Sequence, residues 1–300
     1  MNVFEQNTDI KGRKNIYTDK TNIDENNIID ILTNAVPMHE ENAGRMSFLL
    51  NYEKGKQPLP RKKEVRPEIN IQCVDNLAHT ITNFKTSYEF GNTITLIQRG
   101  EKDSGKGNES EAITLLNECF ASENVTKVQQ EVARYVEICG IGYTYIDFKH
   151  DREDGDSYFT YTSLNPLTTF IIKSDYYIDR RPMVAVTYRT DENGNRFFTC
   201  FTDKYRFEIE NLTQLVNGKR VGQDEWKLKQ IQGGNYISNM LGKIPITEWE
   251  LRPDRTGCFE RQIAQMDALN VMESDFINGL DQNVQAIWHG NDVEFPLDEN

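Results

Sequence analysis

The stretch that decides the reading is Phe259–His289, FERQIAQMDALNVMESDFINGLDQNVQAIWH. Phe259, Ile263, Met266, Leu269, Met272, Phe276, Ile277, Leu280, Val284 and Ile287 recur at three- and four-residue steps. That spacing draws one apolar stripe along an α-helix and fits no strand. No proline interrupts it, and Gly279 is the only weak helix former inside it. At about 1.5 Å per residue the helix would be about 45 Å long, beyond the usual length in a globular domain. With about 100° between residues, Glu260, Asp267, Ser274, Asn278 and Gln285 share a polar strip. Ala264, Ala268, Gly279 and Ala286 form a strip of small residues where another helix could approach closely. Three such strips predict several neighbours; a long core helix of one monomer is the plainer alternative.

The totals bound the rest. Three hundred residues leave room for about two domains. Lys and Arg number 34 against 47 Asp and Glu, a net charge of −13, and mean hydropathy is −0.66. So acidic a surface repels nucleic acid at long range and argues against a tight DNA or RNA binder, though not against a protein that DNA slides past. Cys73, Cys119, Cys139, Cys200 and Cys258 are odd in number and scattered, with no CxxC pair. This argues against a disulfide framework or zinc site and for a reducing compartment. No apolar run marks a signal peptide at the start, and none approaches the roughly 18 residues of a membrane span.

Before the long helix, residues 1 to about 23 read as a mobile polar tail and 24–250 as a mixed α/β region. Pro37 should end a short helix, with a second helix from Met38 to Lys54. The basic cluster Arg61, Lys62, Lys63 and Arg66 then reads as a solvated loop, an ion-pair partner of a neighbouring subunit, or a phosphate contact. Val74, Leu77, Ala78, Ile81, Phe84 and Tyr88 share one helix face, and Ile94–Gln98 reads as a strand. Helices over Glu109–Ala121 and Asn124–Cys139 follow, with Asn124 as cap. From Gly142 to Glu250 the period changes to two, giving strands at Tyr143–Phe148, Tyr158–Leu164, Thr169–Lys173, Met183–Tyr188, Phe197–Thr202, Tyr205–Ile209 and Ile244–Trp249. Glu153-Asp154-Gly155 and Glu192-Asn193-Gly194 are the hairpin turns. The fold class is α+β: helices, an antiparallel β-rich region, then one long helix over 251–290. Residues 291–300 open what reads as another strand with nothing after it, as expected of an incomplete chain.

No chemistry of an enzyme assembles. Gly100-x4-Gly105-Lys106 has P-loop spacing, but Gly107 replaces the hydroxyl that would hold Mg²⁺. Gly140-Ile141-Gly142 ends a helix and opens a strand, the reverse of a dinucleotide fingerprint. His39, His79, His150 and His289 are isolated, and no GxSxG elbow is present. The reading therefore assigns no catalytic, cofactor or metal residue. A P-loop NTPase or a metal-dependent nuclease built on scattered carboxylates is the enzymatic rival.

Specific strings carry a resemblance. Arg66-Pro67-Glu68-Ile69-Asn70, Asn83-Phe84-Lys85, Tyr88-Glu89-Phe90-Gly91-Asn92, Gly142-Tyr143-Thr144-Tyr145-Ile146-Asp147 and Leu164-Asn165-Pro166 come in that order. Arg181-Pro182-Met183, Gly242–Trp249, Asp267-Ala268-Leu269-Asn270, Ser274-Asp275 and Asp281-Gln282 continue them. From Asn42 to Phe295 the chain resembles the N-terminal half of tailed-phage portal proteins of the siphovirus type. The resemblance implies a homo-oligomeric ring, usually of twelve subunits, at one capsid vertex of the virion, assembled in the host cytoplasm. It implies a conduit for double-stranded DNA without sequence-specific binding. Implied partners are the terminase, capsid or scaffold protein and head-tail connectors, with no cofactor and no membrane. Residues before Glu250 would be wing and Phe259–His289 the first stem helix. The clip would start at 291–300, and the second stem helix, tunnel loop and crown would lie beyond Asn300. On that reading Glu260, Asp267, Ser274, Asn278 and Gln285 face the channel or solvent, and Ala264, Ala268, Gly279 and Ala286 pack against neighbours. Another head-completion or scaffold-binding oligomer is the nearest alternative.

Overall fold

The computed structural model describes residues 12–58, 70–97, 111–149, 156–212, 215–216, 219–220, 225–231 and 234–284. In chain order it contains β1 (Ile16–Thr18), α1 (Ile28–Glu53), α2 (Leu77–Phe90), α3 (Glu111–Ser122), α4 (Val125–Cys139), β2 (Ile141–Phe148) and β3 (Phe159–Leu164). There follow β4 (Thr169–Ser174), β5 (Pro182–Thr190), β6 (Arg196–Phe201), β7 (Tyr205–Leu212), β8 (Leu215–Val216), β9 (Lys219–Arg220), β10 (Glu225–Leu228), β11 (Ile237–Ser238), β12 (Ile246–Glu250) and α5 (Ile263–Val284). The class is α+β, with the long helix last.

Alternation along the strands divides the interior into two cores. The large sheet runs β1-β4-β5-β6-β7-β10, with β11 also paired to β7. On its first face Phe170, Ile172, Val184, Val186, Phe198, Cys200 and Ile209 pack against Ile28, Ile31, Leu32, Ala35 and Val36 of α1. The intervening residues Ile171, Ala185 and Phe201 point the other way, into a core with Ile141, Tyr143, Ile246, Phe259, Ile263 and Met266. That second core lies against the small sheet β12-β2-β3. A period of two, with both faces covered, is what separates the two sets. The turn at 192–194 is present between β5 and β6, with Gly194 at φ +84°; residues 153–155 lie outside the described residues.

Helix α1 spans both cores, since its C-terminal half delivers Met46, Leu49 and Tyr52 to the second. Here Pro37 does not end the helix as expected: α1 runs through it for 26 residues. A proline in a helix leaves the carbonyl four residues earlier without its donor, and here that residue is Thr33. Both Thr33 and Pro37 are exposed, so water can serve the orphaned carbonyl while the buried stripe continues through His39 and Asn42.

Four further expectations change. Residues 12–23 are part of the fold: β1 pairs in parallel with β4, and Arg13 is buried. Residues 93–97 form no strand; instead the Asn117 side chain accepts from the Leu96 N–H at 3.0 Å and donates to its carbonyl at 2.9 Å, replacing a strand neighbour. Asn124 lies in the left-handed region and makes no side-chain cap. On α2 it is Ala78 and Thr82 that are buried, while Phe84 and Tyr88 stand outside, stacked with ring centroids 6.3 Å apart.

The α4–β2 junction positions the start of the long helix. Gly140 caps α4 at φ +80°, and a Cβ there would stand 2.4 Å from the Arg255 carbonyl oxygen. A side chain is excluded on both counts. The loop before α5 therefore lies directly on the junction, with the Cys258 N–H donating to the Glu137 carbonyl at 2.7 Å and Leu251 N–H to Gly140 at 3.0 Å.

His39 titrates inside the first core. Its ring stacks on Phe170 at 4.4 Å, and Nε2–H donates to the Leu167 carbonyl at 3.0 Å. Burial, offset in part by that hydrogen bond, pulls its pKa from 6.5 down to about 4. The folded state thus prefers the neutral ring. Its contribution is complete above pH 6.5 and is lost as the pH falls toward 4, on the order of 3 kcal/mol. A His39→Gln variant is expected to show a shallower fall in Tm between pH 6.5 and 4 than the parent. Equal slopes in a thermal-melt series would place the acid sensitivity elsewhere.

Candidate assembly interface

Helix α5 is fixed at its N-terminal end by charge. Glu260 lies in a 3₁₀ turn, Glu260–Gln262, that leads into the helix, and it is 1% exposed. The Arg13 Nη2 donates to both its oxygens at 2.6 and 2.9 Å, Arg45 Nε at 3.1 Å and the Gly257 N–H at 3.0 Å. Arg13 Nη1 meanwhile donates to the Cys139 carbonyl. One carboxylate thus joins the N-terminal segment, α1 and the start of α5 beside the end of α4.

Further along, polar side chains continue on the same inward face. The Tyr52 hydroxyl donates to Asp267 Oδ1 at 2.8 Å. Burial nevertheless keeps the Asp267 carboxyl above the usual carboxylate range, and burial with the Asp267 contact pushes the Tyr52 phenol up. Then comes a ladder: Asn270 Oδ1 accepts from the Asp75 N–H at 2.9 Å, Ser274 Oγ from Cys73 at 3.0 Å and Asn278 Oδ1 from Ile71 at 2.7 Å. Asn278 Nδ2 returns a bond to the Ile71 carbonyl at 3.0 Å. Four helical residues rise about 6 Å and two extended residues span about 6.6 Å. Every fourth side chain of α5 therefore meets every second amide of an antiparallel extended segment. Asn270 Nδ2 also donates to Gln57 Oε1 at 2.7 Å.

The opposite face is apolar and uncovered. Met272 and Phe276 are 68% exposed and Leu280 is 51% exposed. Ala264 is exposed, Ala268 and Gly279 are half-buried, and among the described residues no atom beyond the helix's own backbone and the neighbouring residues lies within 4 Å of where a Cβ on Gly279 would stand. These small residues form a shoulder beside the apolar row.

The polar strip is thus corrected. Glu260, Asp267, Ser274 and Asn278 were expected to face a channel or solvent, yet all four are buried against the chain's own residues, because each supplies a hydrogen-bond partner to backbone or side-chain groups there. Gln285 and Ala286 lie outside the described residues, as do the cluster Arg61, Lys62, Lys63 and Arg66 and the loop 100–107. Sequence reasoning missed Arg13, Tyr52, Gln57 and Asn270. The one available signal was the four-residue step Asn270, Ser274, Asn278.

Helix α5 thus buries Ile263 and Met266 near its start and, further along, binds polar side chains to its own chain while Met272, Phe276 and Leu280 stay outside. The chain matches the family described as phage portal protein, SPP1 Gp6-like, over residues 8–299, and belongs to that family, a structural component of the phage particle. No curated protein matches it.

The ladder makes a specific prediction. Asn270→Ala removes the partner of the part-buried Asp75 N–H and of the buried Gln57 Oε1, which costs about 1–3 kcal/mol. Amide exchange over residues 71–75 is expected to accelerate at least tenfold while exchange in the large sheet stays as it was. Unchanged exchange over 71–75 would show that the ladder does not hold that segment.

Proposed function

We propose that the chain is a subunit of the portal ring at one capsid vertex, and that neighbouring copies pack on the outward face of α5. The observation that carries this reading is the row Met272, Phe276, Leu280, left exposed on a helix whose polar face is already engaged. In a ring each such face meets a neighbouring copy, and closure repeats one contact around the axis. Ala264, Ala268 and Gly279 are the positions at which a neighbouring helix approaches most closely. Ala286 and the cluster Arg61, Lys62, Lys63 and Arg66 are further candidate subunit contacts, and a ring of twelve is the proposed stoichiometry.

The ring is the conduit through which double-stranded DNA enters and leaves, and the platform for terminase, scaffold or capsid protein and head-tail connectors. A net charge of −13 per chain supports passage without retention, since a basic lining would bind the duplex through counterion release. The channel-facing surface is a different one from the Glu260–Asn278 strip. The activity is structural, with no catalytic step assigned to this chain.

Met272→Lys combined with Phe276→Lys tests the packing face. Burying each side chain is worth about 1.5–3 kcal/mol, so association is expected to weaken at least tenfold. The dispersed chain should melt within about 0.5 kcal/mol of the parent, because both positions are on the surface. Multi-angle light scattering of the ring-competent protein reads the first and calorimetry the second. Undiminished assembly would remove α5 from the interface.

A further inference from the structure

Strand β12 has one free edge. Its register with β2 pairs Ile246 with Tyr145 and Glu248 with Tyr143, and the Ile146 N–H donates to the Pro245 carbonyl and Leu251 N–H to Gly140. Odd-numbered residues of β12 therefore exchange hydrogen bonds with β2. The N–H and C=O groups of Ile246, Glu248 and Glu250 point the other way. Among the described residues they have no backbone partner. An unpaired strand edge is a template for another strand unless something blocks it.

Space is available beside that edge. A cleft of about 800 Å³ lies between β12 and the β4–β5 hairpin, with Ile171, Met183 and Ile244 among the apolar residues lining it. Its charge is the reverse of the chain's. Glu248 and Glu250 line it but are already engaged: Lys173 Nζ sits 2.9 and 3.1 Å from them and Arg255 2.8 Å from Glu248. Arg181 pairs only loosely with Asp179 at 3.7 Å, both exposed. Arg180 contacts the Tyr17 ring and hydroxyl. Among the described residues Arg180, Lys204 and Lys243 meet no carboxylate, and Asp203 is the one acidic lining residue left without a cation.

We propose that this cleft docks an extended acidic segment of a partner protein, added as a further strand on the outer edge of β12. Ile246 is buried, and the outward groups of half-buried Glu248 and exposed Glu250 supply the donors and acceptors for a peptide backbone. The floor receives apolar side chains from one face of the strand, and Arg180, Lys204 and Lys243 meet carboxylates. A nucleic acid fits less well, because phosphate oxygens accept hydrogen bonds and have nothing to donate to the outward carbonyls of β12. The cleft shares no residue with the α5 packing row Met272, Phe276 and Leu280, so the two surfaces can be tested separately.

The test uses the full chain and an acetylated, amidated octapeptide alternating glutamate and valine. Binding is followed by fluorescence anisotropy and by amide exchange over residues 244–251. Expected are saturable binding, at least tenfold slower exchange at Glu248 and Glu250, and at least tenfold weaker binding to Lys204→Glu combined with Lys243→Glu. Those two side chains are exposed, and an unchanged melting curve and unchanged ring formation confirm that the variant is folded. Binding without protection of β12, equal binding of a lysine–valine octapeptide, or displacement by a single-stranded oligonucleotide at equal affinity would overturn the proposal. So would protection of β12 that appears without peptide and rises with protein concentration, since the occupant would then be a second copy.

Discussion

Glu260 has almost no contact with solvent, and it carries two guanidinium groups and a backbone amide. Taking a carboxylate and an arginine out of water is expensive, and a buried pair survives only when its remaining hydrogen bonds are made. Here they are. Arg13 has the Cys139 carbonyl as well as both oxygens of Glu260, and Glu260 has Arg45 and Gly257. Leaving either charge alone would cost about 3–5 kcal/mol. The residues that meet at this point are 247 positions apart in sequence, so the N-terminal segment, α1, the α4–β2 junction and α5 are held in one arrangement by a single buried carboxylate.

From that anchor the orientation of α5 follows. With Glu260 inward, Asp267, Asn270, Ser274 and Asn278 come round to the same side, because the steps of seven, three, four and four residues keep close to one helix face. Their partners are waiting there: the Tyr52 phenol and the amides of Asp75, Cys73 and Ile71. Met272, Phe276 and Leu280 are then turned outward by the same geometry. The familiar rule that apolar residues face in and polar ones out is reversed for Met272, Phe276 and Leu280 against Ser274 and Asn278. An exposed apolar row of this kind is what the proposed packing of neighbouring copies rests on.

Much of this was legible in the residues. The change of period at Gly142, the turn at Gly194 and the stripe after Phe259 placed seven strands within a few residues and the long helix in its order, though α5 starts at Ile263 and residues beyond 284 lie outside the described ones. Ladder hydrogen bonds obey the side-chain alternation, so strand positions are readable locally. Among what was not, besides the short strands β1 and β8 to β11, three cases have a clear physical reason. Pro37 reads as a stop, but its cost depends on whether Thr33 faces water, which is a tertiary fact. Arg13 reads as part of a polar tail, and only the distant Glu260 makes it a core residue. The strip Glu260, Asp267, Ser274, Asn278 reads as solvated surface, because nothing local shows that the backbone of residues 71–75 will lie on it. Polar side chains that satisfy another segment's amides look the same in sequence as polar side chains in water.

The two methionines of α5 report directly on which way the helix faces. Met266 is 4% exposed and Met272 is 68% exposed, and both can be oxidised to the sulfoxide by dilute hydrogen peroxide. In the dispersed chain Met272 is expected to oxidise at the rate of the exposed Met240, with Met266 as slow as the buried Met46. In the assembled ring Met272 should become protected while Met240 stays reactive. Rapid oxidation of Met266, or a Met272 equally reactive before and after assembly, would contradict a helix anchored by its polar face and offered to its neighbours by its apolar one.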